Sequence, residues 1–260
     1  MSLSRSLPVL AAALGAVLVS ACGSGGSPSA SHPAGEASKT AAQILADAQA
    51  ALGAAGSFRI RFSGTSTTDG PMTLDLVVSS GGVKGSMTAQ GVTAQVIVAA
   101  RQAYIQGRAF FAKTAGADAA AVIGDRWVEL PAGQSFGFDG FNDPKTVALC
   151  LLSVHGTLVK GGTSSFQGQP TVQVLDRADI PGDAPGTVDV ATTGPAYPLH
   201  LVQTGAATPG QEKQPAVCGS SSSDPSSGAL TNMQATLSDF GAAVAITAPT
   251  DPFVLPSSTT

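Results

Sequence analysis

Residues 57–63, Ser-Phe-Arg-Ile-Arg-Phe-Ser, carry the pattern that decides the fold. The apolar residues Phe58, Ile60 and Phe62 alternate with polar neighbours, and a period of two places apolar side chains on one face of a β-strand. The same alternation returns in four further stretches, residues 72–78, 83–88, 92–98 and 103–105. The short breaks between them, such as Asp69-Gly70-Pro71 and Gln90-Gly91, predict antiparallel hairpins rather than parallel βαβ units.

Three helices interrupt the strand pattern. Thr40 and Gln43 have the spacing of a capping box, and the apolar residues that follow fall on one helical face up to Gly53. A second helix is predicted over residues 110–123, and a third begins at Asp143-Pro144, with Asp as N-cap and Pro at the first helical position. Further strands are predicted at residues 127–130, 156–161, 171–176, 187–192, 199–204, 231–240 and 244–247.

These elements predict an α+β fold, a curled antiparallel half-barrel sheet of about ten to eleven strands with helices on its concave face. An open sheet of this size has to curl, and helices on the concave side would enclose apolar space. Residues 39–250 form the folded domain in this interpretation, residues 206–228 form a long Gly/Ser/Pro loop within it, and residues 251–260 form a loose tail.

The start of the chain has the layout of a secretory signal peptide. An apolar run over residues 7–19 follows Arg5, and Val19-Ser20-Ala21-Cys22 is typical of a bacterial lipobox. A transmembrane helix is the alternative, but it needs about 20 apolar residues and the run is shorter. A plain signal peptide with an accidental cysteine is the second alternative. We expect residues 1–21 to be removed, Cys22 to be acylated, for example with palmitate, and residues 22–38 to be a flexible linker.

The composition of the chain indicates where the protein is located and which classes of partner it binds. The chain has a net charge of −4, only 12% charged residues and no basic patch, so nucleic acid is not expected as a partner. Ala- and Gly-rich, Lys-poor usage is typical of a GC-rich genome such as that of an actinobacterium. With Cys22 acylated, Cys150 and Cys218 remain, and an even pair in an oxidising compartment predicts a disulfide; two unrelated buried thiols are the alternative.

No catalytic signature is convincing. Gly133-Gln134-Ser135-Phe136-Gly137 matches the form G-x-S-x-G, but neither a core strand before it nor a helix after it is predicted, as a nucleophile elbow requires. His155 and His200 are the bases that a secreted serine hydrolase, the less favoured alternative function, would use. There is no metal-ligand spacing and no phosphate loop, so no metal, no cofactor and no enzymatic activity are expected.

Several segments resemble the mycobacterial-type LprG/LppX lipoproteins of the LolA-like superfamily of lipid and lipoprotein carriers. The resemblance lies in residues 57–60, 74–76, 85–87, 104–107, 125–128, 237–241 and 246–249. It implies a half-barrel closed by helices around a cavity for acyl chains, with an envelope lipid or lipoglycan as cargo. The insertion 206–228 and the Cys150–Cys218 pair depart from the family pattern.

The function expected from these features is that of a lipoprotein anchored at the extracytoplasmic face of the cell membrane, which binds and transfers envelope lipids or lipoglycans. The inward sides of the early strands and the first helix are predicted to line the cavity, at Ile44, Leu45, Leu52, Leu74, Leu76, Val78, Val96 and Val98. An anchored, non-catalytic interaction module with a filled core is the alternative.

Overall fold

The computed structural model describes residues 35–131, 138–141, 143–153, 155–210, 215–218 and 230–255. The strands of this part are β1 (Ser57–Ser66), β2 (Gly70–Ser79), β3 (Gly82–Ala89), β4 (Val92–Ala99), β5 (Gln102–Gln106), β6 (Val128–Glu129), β7 (Leu158–Phe166), β8 (Gln169–Asp176), β9 (Gly186–Ala191), β10 (Pro198–Gln203), β11 (Leu230–Ser238) and β12 (Phe253–Val254). The α-helices are α1 (Ala41–Ala54), α2 (Arg108–Thr114), α3 (Ala117–Ile123) and α4 (Pro144–Leu152), and short 3-10 helices cover Glu36–Ser38, Phe138–Phe141 and Ala216–Cys218.

All twelve described strands belong to one open sheet with the order β12-β6-β5-β4-β3-β2-β1-β11-β10-β9-β8-β7. Every pair is antiparallel except β6 and β12, which are parallel. The two ends of this order are different strands that do not pair, so the sheet does not close on itself. The predicted α+β, half-barrel-like architecture is confirmed, with twelve strands in place of the expected ten or eleven.

The helices pack on one face of the sheet, the inner face. α1 contacts β7, β8, β9, β10 and α4, while α2 contacts β4 and α3. The inner-face residues, among them Phe58, Ile60 and Leu76, join the helices in one apolar core. The outer face is polar, and there Arg59 donates two hydrogen bonds of 2.6 Å to the Asp75 carboxylate on the neighbouring strand.

Local sequence explains where the two longest helices begin. The Thr40 hydroxyl accepts a hydrogen bond from the Gln43 backbone N–H, and the Gln43 side chain accepts one from the Thr40 N–H, which completes the predicted capping box. Asp143 accepts hydrogen bonds from the backbone N–H groups of Lys145 and Thr146, with Pro144 at the first helical position.

Two sequence predictions of secondary structure were wrong. The single helix expected over residues 110–123 is broken into α2 and α3, because Gly116 between them has a φ of 92° that a helix interior excludes. Residues 244–247 form no strand. The chain instead runs on to β12, in the segment 251–260 that was expected to be loose.

β12 is fixed by contacts with the start of β6. The Phe253 N–H donates to the Trp127 carbonyl at 2.7 Å, and the Arg126 guanidinium lies 4.4 Å from the centre of the Phe253 ring. A backbone bond and a cation–π contact therefore hold a segment whose sequence alone gives no strand signal.

Several sequence predictions fall outside the described residues. They are the signal peptide, Cys22 and the linker up to residue 34, Ser135, and most of the insertion 206–228. Within the described ranges, no helix is long and apolar enough to cross a membrane.

A Cys150–Cys218 disulfide connects α4 to the 3-10 helix Ala216–Cys218, with the two Cα atoms 5.5 Å apart. This separation lies within the usual range for disulfides. The bond spans 68 residues of sequence and ties part of the long insertion to the helical layer.

Two carboxylates share a backbone donor at the start of β7. The Gly156 N–H lies 3.0 Å from an Asp176 oxygen and 2.9 Å from an Asp183 oxygen. Burial, followed by the nearby negative charge of Asp176, raises the pKa of Asp183 above its usual value.

The first prediction concerns the disulfide. Intact-mass measurement after alkylation without reductant should find no modified Cys150 or Cys218, and two alkyl groups should appear after reduction. The C150S/C218S double variant should lose up to about 4 kcal/mol of stability in urea unfolding, because the unfolded chain is no longer crosslinked. Two thiols alkylated without reductant would contradict the bond.

The second prediction concerns Asp183. Because its folded-state pKa is raised, its contribution to stability is complete below the unfolded-state pKa and is lost as pH rises through the folded-state pKa. Asp183→Asn should therefore become more favourable relative to the parent between pH 4 and pH 7 in urea unfolding. Asp125→Asn, at an exposed position, controls for the change in net charge. An equal effect of Asp183→Asn at both pH values would contradict this account.

Candidate functional site

The inner face of the sheet changes from fully buried to half-exposed along the strands. At the end next to the β2–β3 turn, here called the proximal end, Phe58, Val78 and Val83 form a cross-strand row with no exposed surface. The next row, Ile60 and Leu76, is also buried. The opposite end, next to the β1–β2 and β3–β4 turns, is here called the distal end. Apolar side chains there keep part of their surface open.

The structure brings all eight predicted lining residues into one apolar cluster. The seven that are buried are Ile44, Leu45, Leu52, Leu76, Val78, Val96 and Val98. Leu74 is half-buried and packs against them. Because Leu76, Val78 and Val96 have no exposed surface at all, protein atoms enclose them on every side. Their role in lining a lipid cavity stays a prediction, and Leu74 is the member with surface to offer a ligand.

A contiguous apolar surface surrounds Leu74, and we call it the distal patch. It consists of Phe62, Met72, Leu74, Met87 and Met233, all half-buried. Leu74 pairs with Phe62 on β1 and with Met87 on β3, so these three side chains form one row across the inner face. Met72 lies one inward position farther along β2.

A glycine shapes the patch. Gly64 pairs with Met72, and a Cβ placed on Gly64 would lie 3.1 Å from the Phe62 ring and 3.5 Å from Met233 Cγ. The Phe62 and Met233 side chains therefore lie over the space that a larger residue at 64 would fill. This contact also places Met233, on β11, on the same face as the β1–β3 members.

α2 and a polar rim border the patch. The start of α2 lies so close to β4 that a Cβ on Gly107 would come within 3.1 Å of the Thr93 carbonyl. Lys113 of α2 donates a 2.9 Å hydrogen bond to the Gln90 carbonyl in the β3–β4 turn. Gln90 in turn donates to the Asp69 carboxylate in the β1–β2 turn, and this bond is the main reason that the pKa of Asp69 lies below its usual value. An apolar floor with a charged and amide-bearing rim is the kind of surface that suits an amphiphile.

Sequence reasoning missed part of this site. Phe62, Met72 and Met87 share the alternation that selected Leu74, so the same signal was available for them. Met233 follows the alternation of the buried Ala235 and Leu237 on β11, so the same signal was available for it as well.

The residues considered for catalysis do not form a triad among the described residues. The His155 ring contacts the neighbouring Gly156 carbonyl at 3.0 Å, and the His200 ring lies 3.3 Å from the Asp189 carboxylate and stacks on Phe166. Ser135 lies outside the described residues. Within the described ranges, no group of three or more His, Cys, Asp or Glu side chains is arranged to hold a metal ion.

Comparisons with known proteins give a likeness of fold. No protein-family model matches the chain, and no curated protein matches it in sequence. The crystal structure of LprF from Mycobacterium bovis is similar, with a TM-score of 0.51 and 16% identity over 81% of this chain and 97% of that chain. The Mycobacterium tuberculosis lipoprotein LppX gives a TM-score of 0.48 and 16% identity, over 79% of this chain and 99% of that chain.

A putative outer membrane lipoprotein-sorting protein domain from Vibrio parahaemolyticus gives a TM-score of 0.28 and 11% identity, over 78% of this chain and 90% of that chain. The fold inference depends on LprF, the one of these three structures whose TM-score exceeds 0.5. The chain therefore has the fold of LprF, which confirms the predicted LprG/LppX-like fold.

Proposed function

We propose that this protein is a lipoprotein anchored at the extracytoplasmic face of the cell membrane, which binds envelope lipids or lipoglycans on the inner face of its sheet and transfers them. The observation that carries the proposal is the distal patch, where half-buried apolar side chains from four strands meet beside a polar rim. The lipobox at Cys22 supports the location, and the fold shared with LprF fits the resemblance to the LprG/LppX lipoproteins.

The energetics of apolar burial suit this proposal. Each buried CH₂ group contributes about 0.8 kcal/mol, so a long acyl chain gains on the order of 10 kcal/mol before the costs of ordering it. A sheet face with open apolar surface therefore suffices to hold lipid, and no catalytic group is required. The rim formed by Asp69, Gln90 and Lys113 provides hydrogen-bonding groups where a lipid headgroup would lie.

A second function, that of an anchored interaction module with a filled core, is favoured by one observation. Leu76, Val78 and Val96 are fully enclosed by protein atoms, so the proximal half of the inner face is packed. In this alternative the same fold and anchor present a rigid surface to an envelope protein, and no lipid is carried. Retention of lipid by the purified protein separates the two functions.

The third prediction tests lipid binding at the distal patch. Leu74→Arg places an unpaired charge on the apolar floor and should weaken lipid binding at least about tenfold, since a charge without a partner is costly in an apolar site. Binding is measured by fluorescence titration of the Cys22→Ala chain with cis-parinaric acid, together with mass spectrometry of lipids extracted from it.

Thr73→Arg is the matched control for this experiment. Thr73 is the preceding residue on β2, is exposed and faces the opposite side of the sheet, so the same charge there should leave binding unchanged. Both variants are checked by circular dichroism, because Leu74 is only half-buried and an arginine there is compatible with the fold. Equal binding by Leu74→Arg and the parent, or no retained lipid in the parent, would contradict the proposed site.

The fourth prediction concerns the anchor. Cys22→Ala removes the acylation site, and stable membrane attachment of a protein without a spanning helix requires more than one acyl chain. The variant should move from the membrane fraction to the soluble fraction of fractionated cells. Unchanged partitioning would reject Cys22 as the anchor, and it would leave the lipid-binding experiment unaffected.

A further inference from the structure

The distal patch contains every methionine of the sequence except Met1. The chain has four methionines, and apart from Met1 they are Met72, Met87 and Met233, on β2, β3 and β11. Residues more than 140 positions apart in sequence are thus gathered on one face at one end of the sheet. Elsewhere on the described inner face, aliphatic and aromatic residues fill the corresponding positions.

These three side chains are both accessible and surrounded by apolar groups. All are half-buried, so part of each side chain is open to solvent in the folded sheet. Met87 pairs with Leu74, and Met233 lies beside Phe62 over Gly64. A thioether in such surroundings makes apolar contacts, and its flexibility lets it adapt to ligands of varied shape.

We propose that the distal patch is an oxidation-responsive lipid site, in which a hydroperoxide converts these methionines to sulfoxides and thereby weakens lipid binding. This inference depends on the proposed function. In the reaction the sulfur lone pair attacks one peroxide oxygen, the O–O bond breaks and an S–O bond forms. The sulfur loses two electrons, and with hydrogen peroxide the second oxygen leaves as water.

Oxidation to the sulfoxide makes the patch less apolar, and its apolar surface is what would bind an acyl chain. Its S–O dipole needs a hydrogen-bond partner, and an acyl chain lying on Phe62 and Leu74 would deny it water. The cost falls on the lipid-bound state alone, because the half-buried sulfoxides remain hydrated when the patch is empty. The affinity should therefore fall about tenfold or more while the folded structure persists.

The cysteines do not compete for the oxidant in the described structure. Cys150 and Cys218 are joined in a disulfide, and they belong to α4 and the 3-10 helix Ala216–Cys218 rather than to the patch. The three methionines are therefore the reduced sulfur groups that the described part of the chain offers to a peroxide.

The test uses the full chain with Cys22→Ala, treated with hydrogen peroxide and then freed of it. Peptide mapping should find one added oxygen at each of Met72, Met87 and Met233, and bound cis-parinaric acid should slow their oxidation. Circular dichroism should be unchanged, and the affinity for cis-parinaric acid should fall about tenfold or more. The M72L/M87L/M233L variant should keep whatever affinity it starts with after the same treatment.

The Met87→Gln variant is a second test, because it places a polar side chain of similar length in the patch. It should weaken the binding of cis-parinaric acid without any peroxide treatment. Unchanged affinity after all three sulfoxides have formed would overturn the inference, as would an equal loss in the leucine variant or a loss that tracks unfolding. A parent that binds no probe would reject the proposed function and this inference with it, whereas a parent that binds but is insensitive to peroxide rejects this inference alone.

Discussion

The structure depends on a mismatch between one wide apolar sheet face and the few short helices that cover it. The twelve described strands, spaced about 4.8 Å apart, make a sheet roughly 50 Å wide. The longest of the described helices, α1, has 14 residues and spans about 21 Å, and the other three in this part of the chain are shorter still. Within this sheet the proximal rows at Phe58 and Leu76 are buried, whereas the distal row of Phe62, Leu74 and Met87 is half-exposed. Gly64 leaves the space over which the Phe62 and Met233 side chains lie.

A disulfide, the C-terminal segment and a hydrogen bond to α2 stabilise the edges of the sheet and its helical layer. The Cys150–Cys218 disulfide ties a described part of the long insertion to α4, beside α1. The chain after β11 continues along the proximal end, where the Gly241 N–H donates to the Ser57 carbonyl, and it ends by pairing with β6. At the distal end, a hydrogen bond from Lys113 to Gln90 joins α2 to the β3–β4 turn, and it fixes this border of the patch. The packed proximal core thus provides stability, while the distal end offers surface for an amphiphile.

Much of the fold was predictable because period-two alternation and capping are local signals. The alternation around Phe58 and Ile60 gave the early meander, and Thr40 and Asp143 gave two helix starts. The site was predictable only in part. Alternation tells which face of a strand is apolar, but not how far along the strand the helices reach. It therefore predicts the fully enclosed Leu76 and Val96 as cavity-lining residues together with Leu74. Met233 was missed although it follows the alternation of Ala235 and Leu237, whereas β12 was missed because its partner is distant in sequence.

The proposed site places acyl chains on the distal half of the inner face. It is tested most directly by photo-crosslinking the Cys22→Ala chain with a fatty acid that carries a diazirine on its acyl chain, followed by mass-spectrometric mapping of the modified residues. Adducts are expected on Phe62, Leu74, Met72, Met87 or Met233, and they should be lost when unlabelled lipid competes. Adducts confined to outer-face residues such as Thr73 and Thr88, or the absence of any competable adduct, would contradict it.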